Sequence, residues 1–84
     1  MYAGAQTATG SPVALNNSTS LAVTVVLVQA DPANGANNIL VGNANAQPIV
    51  LTPGANASIR VGNITEIFIK ASAGSPVCNW IAEF

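Results

Sequence analysis

Histidine is absent from this 84-residue chain, cysteine occurs once, and only five side chains carry charge, two basic and three acidic. Each shortage closes a route. With Cys78 alone, no disulfide forms within the chain. With no histidine, and with Asp31, Glu66 and Glu83 as the only carboxylate side chains, a buried metal site has no adequate ligand set. Proton acceptors are equally scarce. Nucleophilic catalysis needs an activated Ser, Thr or Cys beside a base, and Cys78 lies in an apolar run with no cationic neighbour in sequence, which reads as a buried, inert thiol. Glu66 and Glu83, taken as a glycosidase-type pair, lack any further context for that chemistry. No phosphate loop, dinucleotide fingerprint or zinc spacing occurs. The expectation is a protein without catalytic residues, cofactor or metal.

Charge makes up 6% of the chain, against about 25% in ordinary domains. Arg60 and Lys70 are the only basic side chains, too few for nucleic acid or an anionic membrane surface. The most apolar run, residues 21–30, is shorter than the roughly 20 residues that span a bilayer. The opening "MYAGAQTATGSPVAL" lacks the basic and apolar regions of a secretory signal, so synthesis in a cytoplasm is expected. Asn-x-Ser/Thr sequons begin at Asn16, Asn17, Asn56 and Asn63, as chance predicts for a chain with ten asparagines. A domain this small buries only roughly 60–65% of its unfolded surface. Without disulfide or metal, partner subunits are the remaining support, and a homo-oligomer, dimer or trimer, is expected.

What the chain does have is short β-branched runs separated by Gly, Pro, Asn and Ser. Spaced at intervals of about eight to twelve residues, these punctuate an all-β fold: a small antiparallel β-sandwich or jelly-roll-like barrel of about seven short strands. Residues 1–10 show no apolar periodicity and read as a flexible arm or an edge strand that orders on a partner, ahead of one β domain over residues 11–84. Strands are expected at residues 12–15, 21–30, 38–42, 48–51, 57–61, 65–71 and 77–84. The run 21–30 is apolar on both faces, which suits a central strand or one covered on both sides. "NILVG" and "PIVL" suit a hairpin pair. Thr52-Pro53-Gly54-Ala55 is a type II turn by its Pro and Gly positions.

Alternation then assigns faces. Ala57, Ile59 and Val61 point one way, Ser58 and Arg60 the other; Ile67 and Ile69 point inward, Glu66, Phe68 and Lys70 outward. If these two strands pair as a hairpin across Gly62-Asn63, Arg60 and Glu66 form a cross-strand charge pair around Phe68. Three of the five charges and an aromatic would then share one small patch, the composition of a protein contact surface. Trp80 and Phe84 share a face of the last strand and serve either the core or a contact. The candidate interface residues are Arg60, Glu66, Phe68, Lys70, Trp80 and Phe84.

The segments "STSLAVTVVLVQADPANGANNILVGN", "PIVLTPGANASIRVGNITEIFIKAS" and "VCNWIAEF" together resemble small structural proteins of tailed-bacteriophage virions, over residues 18–84. The shared features are an opening strand pair, the Leu51-Thr52-Pro53-Gly54 turn, the strand-like segment from Asn63 to Ala71 and a closing strand. The resemblance implies a capsid decoration or cement protein, located in the virion, whose partner is the major capsid protein. It supplies no catalytic residue. This chain departs from the pattern in its low charge. The alternative is a small surface- or carbohydrate-binding module of a phage fibre or cell-surface protein, which requires aromatics along an exposed groove, drawn from Tyr2, Phe68, Trp80 and Phe84.

Overall fold

The computed structural model describes residues 1–84. Eight strands run through the chain: β1 (Tyr2–Thr7), β2 (Val13–Ala14), β3 (Val25–Ala30), β4 (Ile39–Gly42), β5 (Ile49–Leu51), β6 (Asn56–Arg60), β7 (Phe68–Ala71) and β8 (Val77–Glu83). Three single 3-10 turns interrupt them, at Asn16–Ser18, Pro32–Asn34 and Ile64–Glu66, and there is no α-helix. The strands form two antiparallel sheets, in the orders β1-β8-β3-β6 and β2-β7-β4-β5. That interleaving, with the chain passing back and forth between the layers, is the strand order of an eight-stranded jelly roll.

The core is the space between the sheets. It receives alternate residues: Val26, Val28 and Ala30 of β3, Cys78, Trp80 and Ala82 of β8, Ile39 and Val41 of β4, and Ile69 and Ala71 of β7. Leu15, Ile64 and Ile67, just outside the strands, close one end. β3 lies between β8 and β6, as its two apolar faces predict. The expected β4–β5 hairpin forms, pairing Ile39 with Leu51 and Val41 with Ile49. Gly54 adopts φ 87° and Ala55 N–H donates to the Thr52 carbonyl at 2.8 Å, which closes the type II turn.

Two expectations are corrected. Residues 1–10 are not a free arm: Tyr2–Thr7 pairs with β8 over six residues, making the eighth strand. The small residues there match the bulk they cover. Gly4 stands opposite Trp80, and a Cβ at Gly4 would lie 2.8 Å from Trp80 Cζ2, so only glycine lets the strand lie over the indole. Gln6 is buried; its Nε2 donates to the Ala14 carbonyl at 2.9 Å and its Oε1 accepts Asn17 N–H at 2.7 Å.

The second correction concerns residues 56–71. β6 pairs with β3 in one sheet and β7 with β4 in the other, so no hairpin links them. Asn63 starts the Ile64–Glu66 turn with a capping box: its Oδ1 accepts Thr65 N–H at 3.1 Å, and Glu66 Oε2 accepts Asn63 N–H at 2.8 Å. Burial of Ile64 then carries the chain across the sandwich instead of back along β6.

Candidate interaction surface

Strand register lays out the outer face of the β1-β8-β3-β6 sheet in rows. One row reads Ala3, Ile81, Leu27, Ser58 across the four strands. Leu27 and Ile81 are 39% and 40% exposed at the middle of the sheet, although a solvated face favours polar residues there. The next row reads Ala5, Asn79, Gln29, Asn56. Asn79 Nδ2 donates to Gln29 Oε1 at 3.3 Å and to Asp31 Oδ2 at 3.2 Å. Asp31 also accepts Ala33 N–H at 2.8 Å. That backbone donor first, and the Asn79 amide second, hold the Asp31 carboxyl below its ordinary range. A shallow depression of about 270 Å³ lies between the two rows, walled by Leu27, Ile81 and Asn79. In a third row Arg60 and Glu83 flank Val25.

The opposite outer face belongs to β2-β7-β4-β5. Lys70, Leu40 and Val50 form one row, and Phe68 stands between Ala14 and Gly42 in the next. Val50 is 54% exposed, while Leu40 and Phe68 are half-buried. Exposed aliphatic side chains thus occur on both faces of the sandwich.

Two grooves mark its sides. Where β5 and β6 end the two sheets, Val41, Ile49, Ile59, Val61 and Ile67 line an apolar groove of about 390 Å³. On the other side, a groove of about 320 Å³ runs between β1 and the Asn16–Ser18 turn, lined by Tyr2, Gly4, Gln6, Asn17 and Trp80. Its rim is unusual: Asn16, Asn17 and Ser18 all have positive φ, at 57°, 50° and 63°. The turn is held by Thr19 N–H donating to the Asn16 carbonyl at 2.9 Å, and by the Gln6 side chain.

The six candidate residues are therefore dispersed. Arg60 is exposed on the first sheet's outer face; Phe68 and Lys70 are on the second sheet's. Glu66 is spent on capping its 3-10 turn, so the Arg60–Glu66 cross-strand pair does not form. Trp80 is a core residue, 8% exposed. Phe84 is 72% exposed and meets Tyr2 edge-to-face, with ring centroids 5.1 Å apart and planes at 83°. Leu27, Ile81 and Val50 were not among the candidates, although the two-sided apolar pattern of residues 21–30 carries the signal for Leu27.

No group of three or more His, Cys, Asp or Glu side chains converges. Burial pushes the Cys78 thiol up to about 11, and its Sγ lies 3.7 Å from the Asn79 carbonyl oxygen. Every buried side-chain nitrogen and oxygen has a hydrogen-bond partner. No protein family, curated protein or solved structure matches the chain.

Proposed function

We propose that this protein is a small structural component of a virus particle, a capsid decoration or cement protein that seats its two sheet faces against neighbouring copies of the major capsid protein. The observation that carries this reading is the pair of outer faces. Leu27 and Ile81 on one, and Val50 with the half-buried Leu40 and Phe68 on the other, leave apolar surface exposed on both sides of a thin sandwich that has only five charges. Surface of this kind is what a contact buries at its centre, with polar groups such as Asn56, Arg60 and Lys70 at the rim. A protein wedged between lattice subunits uses both faces; one bound to a single partner needs one.

Two further points support it. The residue pattern of 18–84 resembles small phage virion proteins, and the jelly-roll strand order recurs in capsid domains, an analogy of fold alone. Repetition of one weak site over a symmetric lattice strengthens attachment without a large single interface. The testing experiment is quantitative mass spectrometry of virus particles purified from the source culture. A fixed, high ratio of this chain to the major capsid protein is expected; its absence from particles overturns the proposal.

A further inference from the structure

A β-sandwich of two open sheets has four strand edges, and three of these are blunted. β2 has two residues and follows Pro12; β5 has three and follows Pro48; β6 carries Arg60. Shortness, proline and charge are the usual means of keeping an edge from pairing with another chain. β1 has none of them. Its six residues, Tyr-Ala-Gly-Ala-Gln-Thr, contain no charge and no proline, and they pair with β8 in an unbroken register without a bulge. Tyr2, Ala3, Gly4 and Ala5 are all exposed; only Gln6 is pinned, by the Asn16–Ser18 turn.

We infer that β1 is a self-pairing edge: two copies of this chain join antiparallel through residues 1–5 about a two-fold axis at Ala3, making one continuous eight-stranded sheet. This names an interface for the homo-oligomer that the size and composition of the chain lead one to expect.

The register follows from side-chain parity. Paired residues in antiparallel strands share a face, so a two-fold axis must pass through a residue paired with its own copy. An axis at Ala3 uses the exposed residues and leaves Gln6 and its turn outside the contact. It sets Tyr2 opposite the partner's Gly4, and Met1 opposite the partner's Ala5. Gly4 is where β1 has no side chain and where the groove beside Trp80 opens. The Trp80 indole already covers the Cβ side of Gly4, so the ring of Tyr2 from the second copy meets the groove at that indole and not at a void.

The second argument comes from the outer face. Ala3 begins the apolar row that continues through Ile81 to Leu27. Pairing at Ala3 joins the two rows end to end, Leu27, Ile81, Ala3 and then the partner's Ala3, Ile81 and Leu27. Two separate apolar spots become one straight stripe. An axis at Ala5 aligns the amide rows instead and presses the Gln6 turns together. Charge opposes the approach little, since the formal charge of each copy is only −1 and β1 carries no charged side chain.

The purified chain alone tests this, so failure leaves the capsid reading standing and absence from particles leaves this one standing. Sedimentation velocity at concentrations up to about 1 mM, the weak end of specific association, is expected to show a species of twice the 8.4 kDa chain mass. Ala3→Lys places two ammonium groups directly opposite each other. It is expected to give monomer throughout, with the thermal midpoint of the dilute chain unchanged because Ala3 is exposed. Ala3→Cys is expected to cross-link on oxidation, since directly opposed Cβ atoms approach to about 4.5 Å, the long end of the disulfide range, while Ala5→Cys is not. A monomer at every concentration, a dimer that survives Ala3→Lys, or cross-linking through Ala5→Cys in place of Ala3→Cys would each overturn the inference.

Discussion

A methyl group added at Gly4 would sit 2.8 Å from Cζ2 and 3.0 Å from Cε2 of Trp80, atoms fixed within the core. Gly4→Ala is therefore expected to destabilise the fold by about 1–3 kcal/mol, the range for overpacking. Alanine at an ordinary exposed strand position would instead be neutral or better. Urea denaturation followed by tryptophan fluorescence measures the difference directly. Ser18 presents the reverse case. Its φ of 63° is costly for a residue with a Cβ, so Ser18→Gly is expected to gain about 0.5–1 kcal/mol in the same assay. Cys78 sets a pH dependence. Its thiol stays protonated in the native state up to about pH 11, while the unfolded thiol ionises from about 9. Between those values the unfolded state binds fewer protons than the native one, so stability falls as pH rises through that window. Below it the contribution is fully present. Thiol-directed alkylation at pH 8 is accordingly expected to stay slow in the native chain and become rapid only in denaturant.

Among the elements, those specified by local pattern were legible in the sequence. The period-two alternation of Ala57, Ile59 and Val61, the Pro53-Gly54 turn and the β4–β5 hairpin all depend on neighbours in the chain. β1 and the β6–β7 connection were not legible, because each depends on a distant residue. Gly4 makes sense only against Trp80 at the far end of the chain, so a run of small residues looked like an arm. Gly62-Asn63 has hairpin composition, yet Asn63 also accepts Leu21 N–H at 3.2 Å and donates to Ser20 Oγ at 2.7 Å, contacts that continue the pairing with the β3 side of the chain beyond Arg60 and so keep residues 62–63 out of a hairpin turn. The scattering of the candidate contact residues follows from that one connection, since it separates Arg60 from Phe68 and Lys70. Asn63→Ala removes the cap and these contacts together, and a loss of about 1–2 kcal/mol is expected. Deletion of residues 1–10 is expected to do more than remove an arm. It uncovers Trp80 and Cys78, so a red-shifted tryptophan emission and a lowered thermal midpoint should accompany it. Unchanged emission would show that β1 is dispensable to the core.

For the whole molecule, if the capsid proposal holds, a thin sandwich with few charges and aliphatic residues on both faces attaches through apolar contact. Particle binding is thus expected to vary little between about 0.05 and 1 M salt, where a charge-steered contact would weaken sharply. Leu27→Asp and Val50→Asp, on opposite faces, should each reduce occupancy on particles while leaving the isolated fold stable. Loss from only one of the two would mean that a single face is seated. Durability follows from a smaller detail. Asn34-Gly35 is the dipeptide most prone to deamidation, because an unhindered glycine nitrogen can attack the asparagine side chain to close a succinimide ring. Here Asn34 Oδ1 accepts Val77 N–H at 2.8 Å and its Nδ2 donates to the Val77 carbonyl at 3.0 Å. Clamped at both ends of its amide, that side chain is held away from the following nitrogen for as long as β8 stays in place. The native protein should then age slowly at this step and the unfolded chain quickly, so that deamidation at Asn34 accumulates as a chemical record of how often each copy has come apart.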